Sequence, residues 1–181
     1  GEEELILNAS RQIRAHYPNL LLLIVPRHPE RFDRVTAISQ RAGLKTLRRS
    51  EHRPCSSEVQ VLVVDTMGEL PLFYGTSDVA FVGGSLVPHG GHNLLEPAAL
   101  GRAVITGPHY FNFNEITQQF LNEKAAIEVS NTASLASAVI DLLQNSQKRS
   151  EMGEAGLKLI VNSQGASMRL SNLIKRHIFH V

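Results

Sequence analysis

One cysteine, Cys55, in 181 residues has no partner for an internal disulfide and no cluster for a cysteine zinc site, which fits a reducing compartment. Long apolar runs are missing too. The longest, Leu20 to Val25, is six residues and stops at Pro26, against the roughly 20 needed to span a bilayer. No signal peptide is expected from a start of Gly1-Glu2-Glu3-Glu4. Charge of one sign is not in excess: 18 Lys plus Arg face 17 Asp plus Glu, and a net charge of +1 gives no reason to expect nucleic acid as a partner. What is present, 43% hydrophobic and 19% charged residues, is the profile of one soluble globular domain, which takes about 100 to 200 residues.

Short β-rich apolar runs bounded by turn residues alternate with segments of helical period. That pattern predicts an α/β fold, a Rossmann-like doubly wound parallel sheet with helices on both faces. Strands are expected at Leu20 to Val25, Lys45 to Arg49, Val59 to Val64, Val79 to Val82, Ala103 to Thr106 and Ala126 to Val129. Most are continuously apolar, as strands buried on both faces are. Helices are expected at Pro29 to Ala42, Glu69 to Thr76, Asn93 to Leu100, Asn114 to Glu123 and Thr132 to Gln144, the last capped by Asn131 or Thr132. From Gln147 onward two further helices, broken near Gly165, are expected to pack outside the sheet or reach a neighbouring domain. Glu2, Glu3 and Glu4 ahead of Arg11 and Arg14 make a helix whose charges match the macrodipole. Such a helix follows a strand in an α/β chain, and none precedes it here, so the expectation is a chain cut from something longer.

Glycine concentrates between Phe81 and Gly101. A buried strand runs into Gly83-Gly84, and Gly90-Gly91 stands at the expected start of a helix, followed by His92 and Asn93. Glycine pairs let the backbone take positive φ and approach a ligand, and free amides at a helix start suit a phosphate. Ligands of open α/β sheets sit at the carboxyl ends of strands, where this loop falls. The plain alternative is a tight strand-to-helix turn. Two pairs together with Asn93 and Glu96 favour a ligand. Glu96, one turn on, suits a ribose diol; its plain reading is a capping or solvated glutamate. Proline inside a helix costs about 3 kcal/mol, so with Pro97 either the regular helix begins close to Glu96 or the strain is kept for the site.

Between Arg53 and Arg102 there is no Lys or Arg. A phosphate at Gly90 to Asn93 would therefore depend on backbone amides and the Asn93 side chain, with any cation supplied by another loop. Pro26-Arg27-His28-Pro29-Glu30-Arg31 follows a buried strand, and Arg27 brings forked donors suited to phosphate. A third loop, Asp65 to Leu70, offers Gly68 backbone to a base edge, Met67 as an adaptable apolar surface, and Glu69 at a helix start. Taken alone it is an ordinary helix start with Asp65 or Thr66 as cap. His28, His89, His92 and His109 predict no metal site, because His89 and His92 lack helical spacing and an accompanying carboxylate cluster. Ser85 is not in a Gly-x-Ser-x-Gly elbow. The basic run from Arg27 to Arg53, with Arg31, Arg34, Arg41, Lys45, Arg48 and Arg49, reads as a solvated face or as attraction to an anionic donor or membrane surface.

Taken together, Pro26-Arg27-His28-Pro29-Glu30-Arg31, Met67-Gly68-Glu69, Gly83-Gly84-Ser85, the run from Gly90-Gly91-His92-Asn93 to Glu96-Pro97-Ala98, and Gly107-Pro108-His109-Tyr110-Phe111-Asn112-Phe113 resemble the bacterial 3-deoxy-D-manno-octulosonic acid (Kdo) transferases. The resemblance covers nearly the whole chain. It implies that residues 1–181 are the carboxyl-terminal, donor-binding half of a two-domain GT-B glycosyltransferase, without the amino-terminal acceptor domain. It implies transfer of Kdo from CMP-Kdo to a lipid A precursor in lipopolysaccharide core synthesis, at the cytoplasmic face of the bacterial inner membrane, with peripheral membrane contact and no metal or other cofactor. CMP contacts are implied for Pro26, Arg27, Met67, Gly68, Glu69, Asn93, Leu94, Leu95 and Glu96, with Gly90, Gly91 and His92 as a phosphate or donor loop.

Two departures accompany the resemblance. The family's catalytic base and its acceptor and membrane surfaces belong to the amino-terminal domain, so the isolated chain is expected to be inactive. The family's Ser-Thr-His segment before Gly1-Glu2-Glu3, and the strand leading into it, are also absent, which leaves the sheet order there open. The competing readings are a UDP-sugar epimerase of the same fold and a non-catalytic nucleotide-binding module.

Overall fold

The computed structural model describes residues 1–178, with side-chain surroundings described through 162. Helices and strands alternate: α1 (Glu3–Arg14), β1 (Leu22–Ile24), α2 (Phe32–Arg41), β2 (Thr46–Arg48), β3 (Val61–Val63), α3 (Leu70–Thr76), β4 (Val79–Val82), α4 (Leu95–Ala98), β5 (Ala103–Thr106), α5 (Asn114–Asn122), β6 (Ala126–Glu128), α6 (Thr132–Gln144) and α7 (Ser146–Ile178). Single 3-10 turns lie at Pro29–Arg31, Arg49–Glu51 and Phe111–Phe113. Strand pairing is parallel, in two ladders ordered β1-β3-β2 and β4-β5-β6.

The apolar runs form strands because both of their faces find cover. In β3, Val61 and Val63 pack with Leu7, Ile24 and Val35, whereas Leu62 packs to the other side with Leu47, Val64 and Phe73. β5 repeats the arrangement: Ala103 and Ile105 meet Ile13, Leu135 and Leu142, while Val104 meets Leu94, Ala98 and Phe120. Successive strand residues point to opposite faces, so each ladder is apolar on both sides and helices cover both. Burying one Val or Ile side chain contributes about 1.5–3 kcal/mol, which makes these central strands the main source of stability.

α1 joins the two ladders. Leu7 belongs to the core around β1 and β3, while Ala9 and Ile13 belong to the core around β5 and α6. β1 and β4 are edge strands with no hydrogen-bonded ladder between them among the described residues.

Several boundaries differ from the expected ones. The segment 29–42 splits into a 3-10 turn and α2, and the helix expected at Asn93 to Leu100 shrinks to α4. Pro97 lies in the first turn of α4, where its missing N–H removes no helical bond, and Gly101 at φ 65° closes the end. The first of the two readings of Pro97 therefore holds. At α6 the cap is Asn131, whose side chain accepts the Ser134 N–H at 2.9 Å. α7 runs unbroken through Gly165, so the expected break is absent. An interior glycine costs only about 1 kcal/mol, too little on its own to stop a helix.

The first part of α7 packs on α4 and β5. It packs tightly at Gly153, where a Cβ would lie 2.0 Å from the Gly101 carbonyl oxygen. Gly153→Ala is therefore expected to push α7 off α4 and destabilise the fold by about 1–3 kcal/mol, read from urea unfolding midpoints. An unchanged midpoint would show that this approach is not tight.

Candidate functional site

β4 and β5 are parallel neighbours, so the loops that follow them open at the same end of the ladder. The two loops are sewn together. The Ser85 hydroxyl donates to the Val82 carbonyl at 2.7 Å and accepts the Gly107 N–H at 2.8 Å, and the His109 N–H donates to the Ser85 carbonyl at 2.9 Å. Further out, the Asn112 N–H donates to the Gly90 carbonyl at 3.1 Å, and the Asn112 side-chain amide to the His89 carbonyl at 3.3 Å. Gly90 has φ 89°, and a Cβ there would meet Asn112 Nδ2 at 2.2 Å, so both conformation and space require glycine. Asn112 also lines an open cleft of about 570 Å³ over the start of α5.

The charge pattern predicts a dipole role for Glu2, alongside Glu3 and Glu4; the structure gives it another. Its carboxylate does not cap α1. It reaches the loop after β4 and accepts the backbone N–H groups of Gly84, Ser85 and Leu86 at 2.6, 3.1 and 2.6 Å, with Glu2 only 7% exposed. No periodicity or spacing in the sequence links residue 2 to residues more than eighty positions away. Glu3, beside it, accepts from Arg31.

Arg27, from the loop after β1, does reach the glycine loop. Its Nη1 lies 3.4 Å from His92 Nδ1. Burial first, and then the Arg27 charge, hold the His92 imidazole below its ordinary value, so it is neutral at pH 7. Arginine can only donate, which makes Nδ1 the acceptor and places the ring proton on Nε2. A Cβ on Gly84, at φ 71°, would lie 3.2 Å from that Nε2.

The other expected contacts are distributed unevenly. The Gly91 N–H is taken by the Gly84 carbonyl at 2.9 Å, and the Asn93 side-chain oxygen by the Leu95 N–H at 3.0 Å. The Gly91 N–H is therefore not free for a phosphate, whereas the Asn93 side-chain NH2, the group that would donate to one, has no acceptor among the described residues. The backbone N–H groups of His92 and Asn93 have no protein acceptor among the described residues. Leu94 is 1% exposed, its side chain in the core, so a ligand could touch only its backbone. Pro26 is half-buried, and Leu95 and Glu96 are exposed. The Glu96 carboxylate has no hydrogen bond among the described residues. It stands near the Tyr74 hydroxyl, which burial and then Glu96 push up to about 12.

In the loop after β3, Met67 is exposed and Gly68 takes φ 83°. The Glu69 carboxylate accepts from the Thr66 hydroxyl and from Arg49 Nη2, the latter at 2.9 Å, and the two together hold it below its ordinary value. Arg49 is a cation beside this loop that the reading of the loop alone misses. Neither Asp65 nor Thr66 caps α3. Asp65, its side chain 1% exposed, instead accepts from Arg48 Nε at 2.6 Å and from the Ser50 hydroxyl and N–H at 2.5 and 2.8 Å. The basic run is largely neutralised where it stands: Arg31 pairs with Glu3, Lys45 with Glu58, Arg48 with Asp33 and Asp65, and Arg49 with Glu69. Among the described residues no three His, Cys, Asp or Glu side chains group as metal ligands, and no helix is long and apolar enough to cross a membrane.

The family described as glycosyl transferases group 1 matches residues 2–159. The chain belongs to this family. The group 1 chain is 47% identical over 179 residues, 98% of its length, to a 3-deoxy-D-manno-octulosonic acid transferase of Haemophilus influenzae. It is 38% identical over 176 residues, 93% of its length, to one of Bordetella pertussis. These alignments cover 42% and 40% of the two relatives, so the chain spans about two fifths of the length of the curated relatives it matches. Among solved structures, the C-terminal CMP-Kdo binding domain of WaaA from Acinetobacter baumannii matches with a TM-score of 0.84 and 38% identity, over 88% of this chain and 83% of that one. The catalytic domain of a cholesterol-α-glucosyltransferase from Helicobacter pylori shares the fold, with a TM-score of 0.55 at 17% identity, over 88% of this chain and 89% of that one. The parallel ladders with helices on both faces are thus the Rossmann-like fold of a GT-B transferase domain.

Asp65 yields a pH prediction. Burial opposes its ionisation, but hydrogen bonds from Ser50 and Arg48 outweigh it and hold the carboxyl below its ordinary value. A lowered acid contributes stability in full above about pH 4, and loses it as the pH falls through the lowered value. Asp65→Asn is expected to cost about 1–3 kcal/mol at pH 7 in urea titrations, with the gap to wild type closing below about pH 4. A gap independent of pH would place the effect elsewhere.

Proposed function

We propose that this chain is the donor-binding domain of a Kdo transferase, binding CMP-Kdo and presenting Kdo to a lipid A precursor held by another part of the enzyme. The observation that carries the reading is the likeness, over most of the chain, to a solved CMP-Kdo binding domain. The geometry supports it. The Arg27 guanidinium stands 3.4 Å from a neutral imidazole on the glycine loop, and two backbone N–H groups of that loop, of His92 and Asn93, have no acceptor among the described residues.

CMP leaves as the glycosidic bond breaks, and negative charge grows on its phosphate. Arg27 and the N–H groups of His92 and Asn93 would take up that charge through dipoles and donors already in place. The Glu96 carboxylate, exposed and without a partner, would accept the ribose hydroxyls. Met67, Gly68 and Glu69 would face the base, with Leu94 contributing backbone and Leu95 its exposed side chain. The acceptor and the catalytic base belong to the rest of the enzyme in this reading, which acts at the cytoplasmic face of the inner membrane with peripheral contact. No metal or other cofactor takes part.

Arg27→Ala is expected to weaken CMP binding by roughly 10- to 100-fold, the loss of a hydrogen bond to a charged group, and Glu96→Ala to weaken it through the ribose. Calorimetry with CMP reads both, and wild-type affinity in both variants would remove the assignment. CMP is also expected to raise the unfolding midpoint more than UDP does. The reverse order would favour the UDP-sugar epimerase reading.

A further inference from the structure

The N–H groups of Gly84, Ser85 and Leu86 converge at the carboxyl end of β4, as donors do in a backbone anion nest. Here the anion comes from the protein itself. Glu2 fills the nest from the side of α1, and Gly83 leaves it no slack, since a Cβ on Gly83 would meet Glu2 Oε2 at 2.9 Å. Gly84 carries the contact onward, because it lies so near the His92 ring that a Cβ on it would be 3.2 Å from Nε2, and the ring's other nitrogen faces Arg27. A continuous path therefore runs from the Glu2 carboxylate through Gly84 and His92 to the guanidinium.

We propose that Glu2 is a positioning residue of the donor site: by holding Gly84, Ser85 and Leu86 from behind, it sets the loop that presents His92 to Arg27. The proposal rests on the reading of that loop as the place where the donor nucleotide binds. Filling the nest has a second effect. It removes a competing anion site within the same loop, and leaves the phosphate to Arg27 and the N–H groups of His92 and Asn93. The charged and titratable groups that act on His92 are Arg27, Glu2, His28 and Glu96. Of these, Glu2 and Glu96 favour the protonated ring and Arg27 and His28 oppose it.

The test compares wild type with Glu2→Gln, Gly83→Ala and Glu3→Gln, reading CMP affinity by calorimetry and the His92 ring titration and tautomer by NMR. Glu2→Gln places an amide NH2 among three N–H donors, and is expected to weaken CMP by about tenfold or more. It is also expected to lower the His92 pKa, because a negative charge near the ring is lost, and to weaken the ring's preference for the Nε2–H tautomer, which lost charge alone would not do and which reports that the loop no longer presents Nδ1 to Arg27. Gly83→Ala shifts the carboxylate while keeping its charge, is expected to weaken CMP as well, and carries the test if Glu2→Gln does not fold. Glu3→Gln removes the neighbouring carboxylate, which serves Arg31, and is expected to leave both readings unchanged.

Wild-type CMP affinity with an unchanged His92 tautomer in Glu2→Gln overturns the proposal. So does an equal loss in Glu3→Gln, which would trace the effect to α1 as a whole. If the wild-type chain binds no CMP, the donor reading fails by itself. The His92 tautomer in Glu2→Gln, read from the ring nitrogen signals, then still decides whether Glu2 sets the loop: a weakened Nε2–H preference supports it and an unchanged one overturns it.

Discussion

A carboxylate almost removed from water must find donors, and Glu2 finds three of them in one loop. Two parts of the chain that share no sequence neighbourhood are made dependent on each other by this. The loop after β4 needs an anion at its back to hold three N–H groups in convergence, and α1 needs those donors to let its first residues enter the interior. α1 in turn carries Leu7 into the core of one ladder and Ile13 into the core of the other. The pairing of Glu3 with Arg31 ties the same end of α1 to the turn ahead of α2. Where no backbone ladder joins β1 to β4, a buried charge and a helix do the joining.

The candidate site is built on the side of that joint. Its floor is the pair of loops sewn by Ser85 and Asn112, and its cation comes across from the loop after β1. The polar labour is divided between loops. Arg48 and Arg49 are committed to Asp65 and Glu69 beside β3, so that loop carries its own counter-charge and can face an uncharged group. Arg27 has no ion pair among the described residues, and is left to meet an anion.

Much of the fold is legible in the sequence because its strands are short and continuously apolar and its turns are marked by glycine and proline. Val79 to Val82 and Ala103 to Thr106 are strands over those same residues, and the stripe of Leu135, Val139, Leu142 and Leu143 is the inner side of a helix. The approach of Arg27 to the glycine loop is also legible, since each lies in a loop that follows a buried strand. What is not legible is how individual polar atoms are used. Asn93 spends its oxygen on Leu95, Gly91 spends its N–H on Gly84, and Asp65 turns to Ser50 and Arg48 instead of capping the helix ahead. Composition and spacing identify which donors and acceptors stand near a site. Competition among neighbours decides which remain open, and that competition is settled by distances the sequence does not contain. Glu2 is the extreme case, since a glutamate at a helix start is already accounted for by the dipole and nothing nearby asks for another explanation.

The scarcity of lysine and arginine around the glycine loop bears on how an anionic nucleotide would arrive. With one guanidinium and a set of neutral N–H dipoles, the site projects little field beyond a few ångströms, so it has little power to gather anions from a distance. Its hold is short-ranged, acting once water has been displaced, and dissolved salt screens such contacts far less than it screens separated charges. Binding of this kind should persist across a wide range of ionic strength, trading speed of capture for indifference to the ions around it.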